Sequence, residues 1–183
     1  MSLLQNVREY FKKSTLKKEL QKRGNFIKKK VNIQSAKSIG ILFDATTLDR
    51  RQAILQYADR LKKQRKKVFL LGYFDVKQSD GASHDFKFFD KKSINWMQAP
   101  KGEAVDFFLQ QNFDIFVFLN PTTTTYSEYI AALTKANLKV GPISTEMEAY
   151  DLMLSVKNQT SIKDFIQHME AILKKTNKEH EAA

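Results

Sequence analysis

Cysteine is absent from this chain of 183 residues, which excludes disulfides, thiolate metal sites and a cysteine nucleophile. The absence is compatible with a reducing compartment, so a cytoplasmic protein is expected. Long apolar runs are missing too: none approaches the ~20 residues of a membrane-spanning helix. Met1 to Val7 is broken by Gln5 and Asn6 and followed at once by charge, so no secretory h-region is present and a soluble, unprocessed chain is expected. The glycines make neither a G-x-G-x-x-G turn nor a G-x-x-x-x-G-K-[ST] loop, which argues against classical dinucleotide and P-loop nucleotide binding. The three histidines, His84, His168 and His180, are spaced too widely for a local metal pair. No zinc pattern, aromatic ribonucleoprotein motif or G-x-x-G clamp occurs, and no cofactor or metal is expected.

What the chain has is positive charge in one place. The first thirty residues hold ten basic side chains, Arg8, Lys12, Lys13, Lys17, Lys18, Lys22, Arg23, Lys28, Lys29 and Lys30, against Glu9 and Glu19, which leaves a surplus of +8 out of the formal +11. A concentrated cationic segment attracts phosphate-rich surfaces more strongly than the same charge spread out. Leu3, Leu4, Val7, Tyr10 and Phe11 recur at three- and four-residue steps, and Leu16 and Leu20 extend the stripe toward a stop at Gly24. The spacing predicts an amphipathic helix with a basic face. Phosphate-backbone contact without base reading is the expected mode, to RNA within a ribonucleoprotein such as the ribosome. An anionic membrane surface is the competing partner. The lysines are equally explained as the solvated face of a packed helix.

From Ser38 the pattern changes. Ser38 to Asp44 is a short apolar run ending in a carboxylate, as in a buried parallel strand. Ala45-Thr46-Thr47 reads as turn and N-cap before a helix carrying Leu48, Ile54, Leu55, Ala58 and Leu61, whose basic end from Arg60 to Lys67 complements the helix dipole. Val68 to Phe74 reads as the second strand and His84 to Asp90 as a short third one. A helix opened by Gly102 precedes Phe113 to Leu119, the strongest strand signal. Asn120 to Thr125 turns into a helix with Tyr129, Ile130 and Leu133. Leu138 to Ile143 reads as a last strand and about Ser161 to Lys175 as a last helix.

Alternating strands and helices predict a three-layer, Rossmann-like α/β domain with a parallel sheet of four to five strands. The expected organisation is a basic helical arm over 1–36, the α/β domain over 37–176 and a polar tail over 177–183. In such folds ligands bind beyond the carboxyl ends of the strands. That makes Asp44, Thr46, Asn120, Thr122, Thr123 and Glu146 the candidate edge for a small enzyme or ligand-binding domain. Each also has a plain reading as turn, cap or first-turn carboxylate. Asp44 resembles the strand-end aspartate of haloacid-dehalogenase phosphatases, but Ala45-Thr46 replaces the residues that would supply their second aspartate.

Taken together, Ile94-Asn95-Trp96, Phe113 to Leu119, Leu138-Lys139-Val140-Gly141 and Tyr150 to Leu154 resemble an uncharacterised family of small bacterial α/β proteins, a domain of unknown function. The resemblance spans nearly the whole chain. It implies the fold and a bacterial cytoplasm and brings no activity, substrate or catalytic residue. The expectation is a non-catalytic binding or adaptor protein.

Overall fold

The computed structural model describes residues 14–21, 26–77, 83–144, 149–156 and 160–181, with side chains up to Lys175 in the last of these. A helix, α1, is described over residues 14–21. It is followed by β1 (Ser38–Asp44), α2 (Leu48–Lys63), β2 (Lys67–Phe74), β3 (Lys87–Asp90), α3 (Glu103–Gln110), β4 (Asn112–Leu119), α4 (Thr125–Leu133), β5 (Lys135–Pro142), β6 (Leu152–Leu154) and α5 (Ile162–Glu181). All five strand pairings are parallel, in the order β3-β2-β1-β4-β5-β6. This is a Rossmann-like α/β architecture in which the strand order reverses between β1 and β4.

The sheet has six strands, against the four to five expected. The additional one is β6, whose three residues are too few to show a period and which follows β5 without a described helix between them. The last helix also continues to Glu181, into the stretch expected to be a tail.

Two apolar layers sandwich the sheet because its central strands are apolar at consecutive positions, and successive side chains point to opposite faces. Ile39, Ile41, Phe43, Ile115 and Val117 meet Ile54, Tyr57 and Leu61 of α2 and Phe165, Ile166 and Met169 of α5. Leu42, Phe113, Phe116 and Phe118 face Val105, Phe108 and Leu109 of α3 and Tyr126, Tyr129 and Ile130 of α4. Gly40 belongs to this close packing, since a Cβ there would fall 2.7 Å from the Phe113 ring. Gly141 stands likewise under Tyr150.

The α3/α4 face is where α1 docks. Leu16 and Leu20 pack against its apolar layer, and the Thr15 hydroxyl donates to Met97 Sδ at 3.6 Å. Lys17 and Lys18 remain exposed on the outer side.

Candidate functional site

At the carboxyl edge, beside the β1/β4 switch, most polar groups bind one another. Asp44 ends β1 and turns its carboxylate back: Oδ1 accepts from Thr46 N at 2.9 Å and Oδ2 from Arg50 Nη1 at 2.5 Å. The Thr47 side chain makes no cap bond, so Asp44 orders the turn that was expected to be set by threonine. Thr46 Oγ1 accepts from Asp75 N at 3.1 Å, and Asp75 Oδ1 accepts from the Tyr73 hydroxyl at 3.0 Å. The Tyr73 and Tyr126 rings meet at a tilt of 36° with centroids 4.2 Å apart, at the end of β2 and the start of α4. Burial pushes both hydroxyls above their ordinary pKa, so they stay protonated.

After β4, Asn120 Nδ2 donates to Thr122 O at 2.9 Å. Thr124 caps α4 reciprocally with Ser127, as the threonine run suggested. Thr122 is exposed and Thr123 half-buried. The structure thus brings Asp44 and Thr46 into one network, and Asn120 and Thr122 into a separate turn. Glu146 lies outside the described residues. Among the described residues, no group of three His, Asp or Glu side chains could hold a metal ion.

The opposite, amino edge is built on Asp114, whose role the apolar strand pattern concealed. Burial alone would push its carboxyl up. Hydrogen bonds from Lys37 N, Ser38 N and the Asn137 and Ser38 side chains outweigh burial and hold it below its ordinary value. Oδ2 accepts from Lys37 N at 2.7 Å and Ser38 N at 3.0 Å, while Oδ1 accepts from Asn137 Nδ2 at 3.2 Å. Asn137 Oδ1 in turn accepts from Lys29 N at 3.0 Å. A carboxylate in the apolar run from Phe113 to Leu119 was the signal available, because such a group requires partners.

Two lysines at this end are structural. Buried Lys66 donates to Gln34 O and Ala36 O, and buried Lys139 donates to Ala131 O and Ala132 O at the end of α4. Others reach solvent: Lys63 closes α2, Arg65 follows it, Lys67 begins β2 opposite Ser38, and Lys37 immediately precedes β1. Lys28 pairs with Asp151 at 2.5 Å, while Lys29 and Lys30 are exposed. Of the ten basic residues singled out in the first thirty, Arg8, Lys12, Lys13, Lys22 and Arg23 lie outside the described residues.

Among the described residues, clefts open away from the carboxyl edge. One of about 400 Å³ is lined by Lys62, Val68, Phe69, Leu70, His84, Asp85, Phe86, Lys87, Phe107 and Phe108. Another, of about 240 Å³, runs between α2 and α5 past Tyr57, Arg60, Lys163 and Ile166.

Fold and edges together define a class: a parallel α/β protein whose carboxyl-edge carboxylates are engaged in turns and ion pairs and whose amino edge carries exposed lysines. More particularly, residues 8–176 match the model of a family of unknown function (DUF6913), and the chain belongs to that family. No curated protein matches it. Among the described residues no helix is long and apolar enough to cross a membrane.

Proposed function

We propose that this protein is a non-catalytic adaptor of the bacterial cytoplasm that engages RNA of a ribonucleoprotein, such as the ribosome, through phosphate contacts. The observation that carries this reading is the orientation of α1. Leu16 and Leu20 are committed to the domain, and Lys17 and Lys18 are turned to solvent. The basic face is therefore held on a folded body, which lowers the ordering cost of binding. Lys29 and Lys30 add exposed charge at the amino edge. The paired state of Asp44, Thr46 and Asp75 favours binding over catalysis, because a general acid or base needs a group turned toward its substrate.

Titrating the full chain into labelled RNA at several salt concentrations tests the proposal. Log affinity is expected to fall linearly with log salt, by about 0.7 per phosphate neutralised for single strands, with little dependence on sequence. Reversing Lys17 and Lys18 to Glu should weaken binding and flatten the slope. Absent or salt-independent binding would overturn the reading, and binding to anionic vesicles without RNA binding would replace it with a membrane surface.

A further inference from the structure

The cleft of about 400 Å³ lies at the free flank of β2. β3 joins β2 only from Leu71, so Val68, Phe69 and Leu70 have no strand beside them on that side among the described residues. The floor is Phe69, and one wall is Phe107 on α3, which is 43% exposed despite its size. Phe107 and Phe69 together line the cleft, so the exposed ring belongs to a contiguous apolar surface. Lys87 Nζ stands over the Phe107 ring, 5.6 Å from its centroid, so a base stacking on that face takes the place of the ammonium, and Lys62, itself paired with Asp59 at 3.3 Å, lines the cleft from α2. Asp85 contributes one negative charge to the lining. Lys67, the residue before Val68, and Lys63, the residue after Lys62, are both exposed, so the cleft adjoins the cationic amino edge.

We propose that this cleft takes an unpaired base of a single-stranded RNA, stacked on Phe107, while Lys63, Lys67 and Lys87 hold the adjoining phosphates. The proposal rests on the RNA-binding reading and adds the strandedness of the ligand. A cationic groove with an exposed aromatic platform is the combination that single-stranded nucleic acid uses, because every base offers a π-face and the lysines follow the backbone. The volume falls within the ~300–1,000 Å³ of small-ligand sites, enough for one nucleotide. A duplex keeps its bases stacked inside and cannot fill the cleft.

The experiment compares a twelve-nucleotide single strand of oligoadenylate with an RNA duplex of twelve base pairs, both titrated with the full chain by fluorescence anisotropy at one salt concentration. Phe107→Ala is expected to weaken single-strand binding about tenfold, within the range seen for alanine at stacking sites, and to leave the duplex unchanged. Phe107→Trp should retain single-strand affinity. Should Phe107→Ala perturb folding, Phe107→Leu keeps apolar bulk while removing the aromatic face and is expected to show the same selective loss. Single-strand affinity within twofold of the parent in the folded variant would overturn the base site and leave the RNA reading standing. Equal loss on both ligands would overturn it as well. A parent chain that binds neither ligand would overturn the RNA reading itself.

Discussion

The two edges of the sheet use their polar residues differently. At the carboxyl edge, Asp44 is held by Thr46 and Arg50, Asp75 accepts from Tyr73 and pairs with Lys91 at 3.5 Å, and Asn120 and Thr124 close their own turns. At the amino edge, Asp114 is fully partnered, and Lys37, Lys63, Arg65 and Lys67 are exposed to solvent. Helix C-termini favour cations, so part of this charge complements the end of α2. Lys37, Arg65 and Lys67 lie beyond the helix and exceed that need. In a fold whose ligands ordinarily sit at the carboxyl edge, that edge spends its carboxylates on turns, and the binding proposed above falls instead on the exposed cations of the amino edge.

The largest expected effect concerns the core common to both edges. Phe118 is fully buried, and Phe118→Ala should cost ~3–5 kcal/mol, a large share of the ~5–15 kcal/mol that holds a domain together. The shift of the denaturation midpoint at constant m measures it. A variant as stable as the parent would remove the sheet on which the comparison of edges rests.

Next in size is Asp114→Ala, which strands the Lys37 and Ser38 amides and should cost ~1–3 kcal/mol. Folding lowers the pKa of this carboxyl, so in the acid range the unfolded chain binds more protons than the folded one. Its contribution is complete above the ordinary value of 3.8 and is lost as pH falls through the lowered one. The difference in stability between parent and Asp114→Ala should therefore shrink on acidification, as denaturation curves at pH 7 and pH 2.5 would show. A difference independent of pH would contradict the hub role.

Smaller still is Asp44→Ala, expected to cost about 1 kcal/mol because its ion pair with Arg50 is partly exposed. RNA affinity should not change. A tenfold loss of affinity in that variant would bring the carboxyl edge back into function and break the comparison.

The strands of the central sheet were legible because β1, β2 and β4 are buried on both faces and read as unbroken apolar runs. The N-cap at Thr124 was legible from local chemistry. β6 was not, because Leu152–Leu154 is held by its pairing with Val140, Gly141 and Pro142 and carries no period of its own. The stripe through Leu16 and Leu20 predicted a helix with one apolar side, but not which layer of the domain it would pack against. Asp114, Lys66 and Lys139 read as ordinary charges, since the acceptors and donors that occupy them are backbone groups of other segments. Phe107 was not singled out in the sequence, because the cleft beside it arises only where β3 leaves the flank of β2 free.

One measurement tests the central claim most directly: RNA affinity of two charge-reversal variants with the same change in net charge. One carries Lys63→Glu and Lys67→Glu at the amino edge. The other carries Lys92→Glu and Lys101→Glu, exposed residues between β3 and α3. The amino-edge variant should lose at least tenfold in affinity and show a shallower salt slope, with the other variant remaining within about threefold of the parent. Equal losses in the two would mean that net charge alone attracts RNA, and would contradict the assignment of binding to the amino edge.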